Sequence, residues 1–234
     1  MIDADNAAAQ MEEDKRFRVG ELVFLENICE ALPEVGSQNR MRKVLLLMLY
    51  AQLEGFTKNT LEIYRRHIDE SGLTCGDVRP ELATSAFADV FKALQSSDKA
   101  TKNFLPVELN ELKEDLRTFA IQKTLVDRAA TYMRTALKIP DKHVDMESNL
   151  KPVVLKKNLF RLALPFSMFD EHDGVLNRLL NQRNRIAHGD LVAGIDESDY
   201  EDIRKAVIKI MDELSQKITD AILNRSYLRK SPKN

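Results

Sequence analysis

The sequence is poor in the residues that mark several large protein classes. It contains two cysteines, eight glycines, seven prolines and no tryptophan among 234 residues. So few glycines and prolines exclude collagen, low-complexity chains and a turn-rich β sandwich. Cys29 and Cys75 are too few for a disulfide scaffold or a four-thiolate zinc site. We therefore expect free thiols, as in most cytoplasmic proteins.

Long apolar runs are also absent. The longest, Val44 to Ala51, has eight residues, whereas a helix that spans a bilayer needs about 20. The first residues are acidic and lack the basic-then-apolar order of a signal peptide. These features predict a cytoplasmic protein without a membrane segment.

Charge is nearly balanced overall but unevenly distributed. The formal net charge of −2 argues against a nucleic-acid binder driven by bulk charge. Residues 1–117 nevertheless carry a net −6 and residues 118–234 a net +4. This basic excess could form a local phosphate-binding surface, or it could belong to ordinary solvated helix faces. On charge alone, solvated faces are the better interpretation.

Apolar residues recur at three- and four-residue intervals along most of the chain, which is the helical period. The pattern predicts about six helices, over residues 11–32, 37–70, 80–96, 106–137, 170–189 and 198–222. The second is apolar nearly all round in its middle, so we expect it at the centre of the core. Residues 140–152 lack periodicity and are predicted to form a loop, followed by a short mixed segment over residues 155–164. We predict an all-α helical bundle with a single domain over residues 11–234, after a loose N-terminal tail over residues 1–10.

Two of these helices carry more detailed predictions. In the first, the spacing favours a buried stripe formed by four apolar residues, namely Phe17, Leu22, Leu25 and Ile28. The last helix is predicted to open with a capping box, in which Ser198 and Glu201 satisfy the first backbone donors.

Most catalytic and cofactor sites lack their residues here. The four histidines are scattered, and no two have the spacing that places metal ligands on one helix face. The glycines do not cluster into a phosphate-binding loop, and the chain has no Gly-x-Ser-x-Gly motif. We therefore predict no metal and no cofactor.

One segment combines residue types that suit phosphodiester cleavage, and it runs from Arg183 to Gly189 as RNRIAHG. Asn184 and His188 are four residues apart and share a helix face, and the long Arg183 side chain can reach the same groove. Imidazole titrates near neutrality and can take the proton of a ribose 2′-hydroxyl, while a guanidinium stabilises the charge that grows on the phosphorus centre. Alternatively, His188 beside Gly189 is only a helix cap.

This segment resembles the signature of the HEPN superfamily, in which an arginine and a polar residue precede a histidine. The stretch LYAQLEGF, residues 49–56, is similar to a helix of the prokaryotic branch allied to the RiboL-PSP group. The resemblance implies a HEPN-like helical bundle that forms a homodimer. It also implies a metal-independent endoribonuclease of a toxin–antitoxin or phage-defence system, which leaves 2′,3′-cyclic phosphate and 5′-hydroxyl ends.

The same resemblance assigns roles to residues of the signature helix. Arg183 and His188 would be catalytic, with Asn184 in support, and Arg178 and Arg185 are candidates for binding RNA. The partners it implies are an RNA substrate, a second copy of the chain, and an antitoxin or other defence-system protein.

Two neighbouring positions sharpen this picture. Glu54 in the second motif could pair with the signature arginine or simply serve helix packing, and Gly55 next to it suggests a close helix contact. Asp190 occupies the position where some related toxins carry a tyrosine that a partner adenylylates, so that form of control is not expected.

Two alternatives to an enzyme stay open at this stage. The chain could be a non-catalytic module that keeps the HEPN fold to bind RNA or a protein partner. It could also be a structural subunit in which His188 only caps its helix.

Overall fold

The computed structural model describes residues 3–88, 91, 114–191 and 193–230. Within these ranges the chain forms seven α-helices: α1 (Ala4–Glu30), α2 (Val35–Asp69), α3 (Pro80–Ala86), α4 (Glu114–Arg134), α5 (Pro152–Arg161), α6 (Asp173–Ala187) and α7 (Glu197–Leu223). No strand occurs among the described residues, where the only β pairing is two isolated bridges, Thr74–Ala136 and Val78–Leu228. The predicted all-α domain is confirmed, with one helix more than the pattern indicated.

Helix α2 lies at the centre of the core, as predicted. The long helices α1 and α7 pack along it, and α6 packs against another part of its surface. Its buried side chains include Leu45, Leu49, Leu53, Phe56 and Tyr64. Because three helices cover α2, a one-sided apolar stripe would not suffice, which explains why its sequence is apolar nearly all round.

The N-terminal tail that was predicted to be loose is helical from Ala4 onward. The Asp3 carboxylate accepts a hydrogen bond from the Asn6 backbone N–H at 2.8 Å and so caps the helix. Ala7 and Met11 are fully buried. The cap and this burial together hold the first turns in place.

The predicted buried stripe of α1 is only partly correct. Leu22 is fully buried, but Phe17 is 65% exposed and Ile28 is 42% exposed. A sequence pattern identifies an apolar face of a helix, whereas contact with α2 and α7 decides which part of that face loses its water.

Two further boundaries differ from the prediction. The mixed segment over residues 155–164 lies mostly in α5, which begins with Pro152 in a position where its missing N–H costs nothing. Helix α7 begins two residues after Ile195, and its N-cap is Asp196 rather than Ser198. The Ile195 N–H donates to the Asn39 carbonyl at 2.9 Å, which fixes the chain just before the cap.

Several other predictions concern the connections. The region predicted to be a loop, 140–152, is irregular as far as Lys151 apart from a short 3-10 turn, Asp141–His143, and α5 begins at its last residue. The predicted end of the third helix near Ser96 and the start of the fourth at Pro106 lie outside the described residues. Cys29 and Cys75 are both buried and free. Among the helices described here, none has the length and apolar character needed to cross a membrane.

The partly buried ring of His143 makes stability depend on pH. Burial, followed by the positive charges of Arg161, Arg65 and Lys157, lowers the pKa of His143 to about 4. The unfolded chain therefore binds this proton more tightly than the folded chain. The stability contributed by the neutral ring is present above the unfolded pKa of about 6.5 and is lost as the pH falls from there towards 4.

We expect this group to remove about 1 kcal/mol from the free energy of unfolding between pH 7 and pH 5, after allowance for solvent screening. Urea unfolding at both pH values, on the wild type and on His143→Gln, measures the difference. The variant should lose less stability on acidification. An identical loss in the two proteins would contradict the assignment.

Candidate functional site

The signature segment lies on the last two turns of α6, where the helix faces α2. Leu176, Leu179 and Leu180 are buried and anchor the earlier turns of α6. Arg183 and Asn184 follow one turn later and are only partly buried. The amphipathic pattern of α6 thus continues into polar side chains at the edge of the core.

The Arg183 side chain is held by contacts from three directions. Its guanidinium carbon lies 5.1 Å from the centroid of the Tyr50 ring on α2, in a cation–π arrangement. One guanidinium nitrogen donates to the Asn184 Oδ1 at 2.9 Å and to the Asn149 Oδ1 at 3.4 Å. These contacts leave little freedom for the guanidinium, which is a useful property for a group that must meet developing charge.

The Tyr50 ring packs against the Arg183 guanidinium and is itself held in place. It is buried, and its hydroxyl donates to the Glu54 Oε2 at 2.5 Å while accepting the Leu150 N–H at 2.7 Å. Burial, and then the hydrogen bond to Glu54, raises the pKa of the Tyr50 hydroxyl well above its usual range. Tyr50 therefore stays protonated and serves as a donor, not as a base.

The direct pairing of Glu54 with Arg183 that the sequence allowed is not present among the described contacts. The Glu54 carboxylate forms no ion pair with a described residue, and it accepts hydrogen bonds from Tyr50 and, at 3.2 Å, from the Leu150 N–H. Tyr50 contacts both charged groups: its ring lies under the Arg183 guanidinium, and its hydroxyl bonds to the Glu54 carboxylate. The second contact is possible because residues four apart on a helix are neighbours. Glu54 thus supports the site through Tyr50 and the backbone of the loop.

An open groove runs beside Arg183, with a volume of about 660 Å³. It is lined by α2, by the end of α6 and by the loop before α5, through residues that include Glu54, Lys58, Ser148, Arg183 and Ala187. The LYAQLEGF stretch of α2 therefore forms one wall of the groove that contains the signature arginine. The two motifs recognised separately in the sequence meet at one place.

Gly55 permits a close approach at the back of this wall. A Cβ atom at this position would lie 2.4 Å from a guanidinium nitrogen of Arg18. Arg18 crosses from α1 to donate to the Gln52 Oε1 at 3.0 Å. The expected close helix contact at Gly55 is thus a contact with α1 of the same chain.

The end of α6 is a regular chain reversal at Gly189. The Gly189 N–H donates to the Ile186 carbonyl at 3.1 Å, and the Asp190 N–H donates to the Arg185 carbonyl at 2.8 Å. Gly189 has a φ of +79°, which glycine adopts without strain. This Schellman-type closure satisfies the last carbonyls with backbone donors alone, so the helix does not need the His188 side chain as a cap.

His188 is the C-cap residue of α6, and its side chain is exposed. Its ring forms no hydrogen bond or ion pair with any residue in the described part of the chain. Asn184 does not orient the ring, because the Asn184 Oδ1 accepts from Arg183 instead. Within one chain, Arg183 and Asn184 are hydrogen-bonded to each other, whereas the exposed His188 side chain at the helix end bonds to neither.

The two predicted RNA-binding arginines of α6 differ in their surroundings. Arg178 forms an ion pair with Asp199 on α7 at 2.6 Å, and both side chains are about half exposed. Its charge is therefore partly compensated. Arg185 is exposed and forms no ion pair with a described carboxylate, so it is the better candidate for a phosphate contact.

One group of side chains in the described residues has the composition of a metal site. It consists of Glu171, His172 and Glu213, whose ligand atoms lie within 4.8 Å of one another. The His172 Nε2 lies 2.7 Å from one Glu213 oxygen, and Lys209 lies 3.5 Å from the other. The hydrogen bond from His172 lowers the pKa of Glu213. Because both Glu213 oxygens already have cationic or donor partners, the cluster is better explained as an ion-pair network that joins α6 to α7.

The sequence reasoning missed the two residues that contact Arg183 from outside α6. Tyr50 could have been found, since it lies four residues before Glu54 in the second motif and must share its face. Asn149 carries no such signal, because it belongs to an irregular loop whose position depends on the tertiary fold.

Comparison with known proteins bears on the whole chain. Neither the curated proteins nor the solved structures include a significant match. The sequence model of the HEPN_MAE_28990-like HEPN family matches residues 7–227 of this chain. Because this match covers nearly the whole chain, including both motifs, six of the described helices in full and all but the first three residues of α1, the protein belongs to the HEPN_MAE_28990-like HEPN family.

Proposed function

We propose that the protein is a metal-independent endoribonuclease whose catalytic residues are Arg183 and His188, with Asn184 in support. The proposal rests on the arrangement of side chains at the end of α6, in a chain that belongs to the HEPN family. There, Arg183 is fixed beside an open groove and the helix does not need the His188 ring for capping.

The proposed reaction is an intramolecular transesterification of RNA. His188 takes the proton of a ribose 2′-hydroxyl, and the 2′-oxygen attacks the adjacent phosphorus. The bond from phosphorus to the 5′-oxygen breaks, which leaves a 2′,3′-cyclic phosphate and, after protonation, a 5′-hydroxyl. Arg183 stabilises the negative charge on the non-bridging oxygens, and its contact with Asn184 keeps the guanidinium in place.

We further propose that the active unit is a homodimer. In a single chain His188 has no orienting partner among the described residues, and Arg183 is stacked on Tyr50 of α2. A second copy placed against the same helix end would bring two histidines and two arginines into one cleft. This arrangement also doubles the local positive field without changing the near-neutral charge of each chain.

The biological setting follows from the branch that the motifs resemble. We propose a toxin–antitoxin or phage-defence role within the prokaryotic branch allied to the RiboL-PSP group, with an antitoxin or other defence protein as the partner. Support comes from LYAQLEGF, the stretch that resembles this branch and also lines the Arg183 groove.

One observation favours a second candidate, a non-catalytic HEPN module that binds RNA or a protein. Arg183 already contacts Tyr50, Asn149 and Asn184, so it could be a structural link between α6, α2 and the loop. In that case the chain would bind RNA without cutting it.

The test is cleavage of single-stranded RNA by the purified protein in EDTA, with analysis of the product ends. We expect cyclic phosphate and 5′-hydroxyl ends at an undiminished rate, since no metal takes part. Replacing His188 with alanine should lower the rate by about 10²- to 10⁴-fold, which is the usual contribution of a general base.

Lys205→Ala is the control, because it removes a positive charge from the exposed face of α7 and lies outside the Arg183 groove. Its cleavage rate should stay close to that of the wild type. The nuclease proposal fails if His188→Ala cleaves as fast as this control, or if the wild type binds RNA and never cuts it.

A further inference from the structure

A second groove, larger than the first, lies on another part of the molecule. It has a volume of about 1070 Å³ and lies between α3, the end of α5 and the chain that follows α7. Six of the side chains that line it matter for its chemistry, namely Arg79, His143, Phe160, Arg161, Arg229 and Lys230. We call it the C-terminal groove.

Backbone pairing builds the wall that carries two of these cations. The Arg79 N–H donates to the Tyr227 carbonyl at 2.9 Å, and the Arg229 N–H donates to the Asp77 carbonyl at 2.8 Å. These bonds flank the antiparallel bridge between Val78 and Leu228. Arg79 and Arg229 therefore project from the same side of a short ribbon, and the C-terminal chain is held in place there.

A side-chain bond fixes the opposite wall. The Ser85 hydroxyl of α3 donates to the Arg161 carbonyl at the end of α5, at 2.8 Å. Arg161 is partly buried, while Arg229 and Lys230 are exposed. The cations therefore belong to three separate chain segments that the fold brings around one space.

The charge of the C-terminal groove is strongly one-sided. Its only acidic lining residue among those described is Glu81, whose carboxylate is occupied by Arg79 at 2.5 Å. Arg161, Arg229 and Lys230 form no ion pair with any described carboxylate. Among the described residues, three cations are therefore left uncompensated, in a protein whose total charge is −2.

Aromatic surface accompanies this charge. Phe160 is 54% exposed, and its ring contacts the ring of Phe166, itself 55% exposed, at a centroid distance of 6.3 Å. Two exposed phenylalanines in contact with each other beside these cations form an apolar surface that a ligand can cover. Cations that track a phosphate chain, together with aromatic rings on which bases stack, are the common features of single-strand binding sites.

We propose that the C-terminal groove binds single-stranded RNA, with Arg161, Arg229 and Lys230 on the phosphates and Phe160 stacked against a base. This extends the proposed function by adding a substrate-binding surface outside the Arg183 groove, and it rests on that function only for the choice of RNA. The binding itself does not require cleavage.

The two grooves are close enough for one strand to contact both. His143 lines the C-terminal groove and Ser148 lines the Arg183 groove. They are five positions apart in one loop, so their Cα atoms lie at most about 18 Å apart. An extended strand held in the C-terminal groove would thus be directed towards the signature helix.

The test measures binding of a short fluorescent 2′-O-methyl RNA, which lacks the 2′-hydroxyl needed for cleavage, by anisotropy at several salt concentrations. The test variant is Arg229→Gln/Lys230→Gln. The control, Lys205→Gln/Lys209→Gln, removes the same charge from the exposed side of α7, where both lysines are at least 60% exposed.

We expect the test variant to bind roughly tenfold more weakly at low salt, because it loses two charge-assisted contacts. The slope of log affinity against log salt concentration should become shallower by about 1.4, at about 0.7 per lost phosphate contact with a single strand. The control should match the wild type. Phe160→Ala should weaken binding about fivefold or more with an unchanged slope, since stacking carries no charge.

Equal binding by test and control variants would overturn the proposal, as would displacement of the RNA by polyglutamate as effectively as by unlabelled RNA. The two proposals fail separately. RNA binding through Arg229 and Lys230 without any cleavage overturns only the nuclease. If the protein cleaves RNA but its RNA affinity does not depend on Arg229 and Lys230, only the proposal for the C-terminal groove is overturned.

Discussion

Replacing Arg183 with alanine is expected to reduce the single-turnover rate of RNA cleavage by about 10²- to 10³-fold, the usual cost of removing a donor that stabilises transition-state charge. RNA affinity should change much less. The physical reason is the fixed position of the guanidinium, which Tyr50, Asn149 and Asn184 hold before substrate arrives. Such a group needs no reorganisation when charge develops.

Arg183→Lys tests whether geometry matters as much as charge. Lysine keeps the positive charge but has no planar fork, so it cannot reproduce the paired hydrogen bonds on the phosphate. We expect it to recover only part of the lost rate. Lys205→Ala on the exposed face of α7 is the control.

Measuring rate, affinity and thermal stability together separates catalysis from structure. If Arg183 only joins α6 to Tyr50 on α2, alanine would lower the melting temperature and weaken RNA binding while the cleavage rate at saturation stayed the same. That result would contradict the catalytic assignment of Arg183 and favour a purely structural role for this residue.

Replacing Arg65 with methionine should lower the free energy of unfolding by about 3–5 kcal/mol, the usual cost of removing one partner from a buried ion pair. Arg65 is 5% exposed and bonds four acceptors at 2.7–2.9 Å, namely Glu62, Asp69, the Ile139 carbonyl and Asp141. It thereby joins the end of α2 to the loop that leads to His143. Without it, the nearly buried Asp69 carboxylate loses its cation.

Burial also affects the ionisation of Asp69. Desolvation raises the pKa of this carboxyl, despite the hydrogen bond from the Ile139 N–H and the nearby Arg65 charge. Urea unfolding of Arg65→Met, Asp69→Leu and the double variant measures the coupling between the two. We expect the double variant to be less destabilised than the sum of the single variants.

Lys205→Met on the exposed face of α7 is the comparison for a surface charge, with an expected change within about 0.5 kcal/mol. A loss of similar size in Arg65→Met would show that the Arg65 network contributes no more than a solvated ion pair does.

The helical pattern of the sequence predicted the positions of α2, α6 and α7 closely, because each buries a regular apolar stripe that the 3.6-residue period reveals. It failed at the ends and on the weaker elements. The N-terminal turns are held by burial of Ala7 and Met11. Helix α5 depends on a short segment that packs against α3 and α6, and this packing leaves no clear period in ten residues.

The candidate site divides in the same way. The residues of the signature are contiguous, so the sequence alone could place Arg183, Asn184 and His188 at a helix end before Gly189. Their partners come from distant parts of the chain. Tyr50 lies on another helix and Asn149 in an irregular loop, and no local pattern reports which arginine they will contact.

The scarcity of glycine, proline and cysteine in the sequence was enough by itself to exclude several fold classes. Few glycines, few prolines and two cysteines excluded a turn-rich β sandwich and a disulfide scaffold, because composition limits the available folds wherever the segments lie. The helical period of the apolar residues then predicted an all-α chain. The nearly neutral net charge of −2 says less about what the protein binds. Only the tertiary structure gathers Arg161, Arg229 and Lys230 around one groove and pairs Arg178 with Asp199. The local field of a protein depends on distances between charges, and folding alone sets those distances.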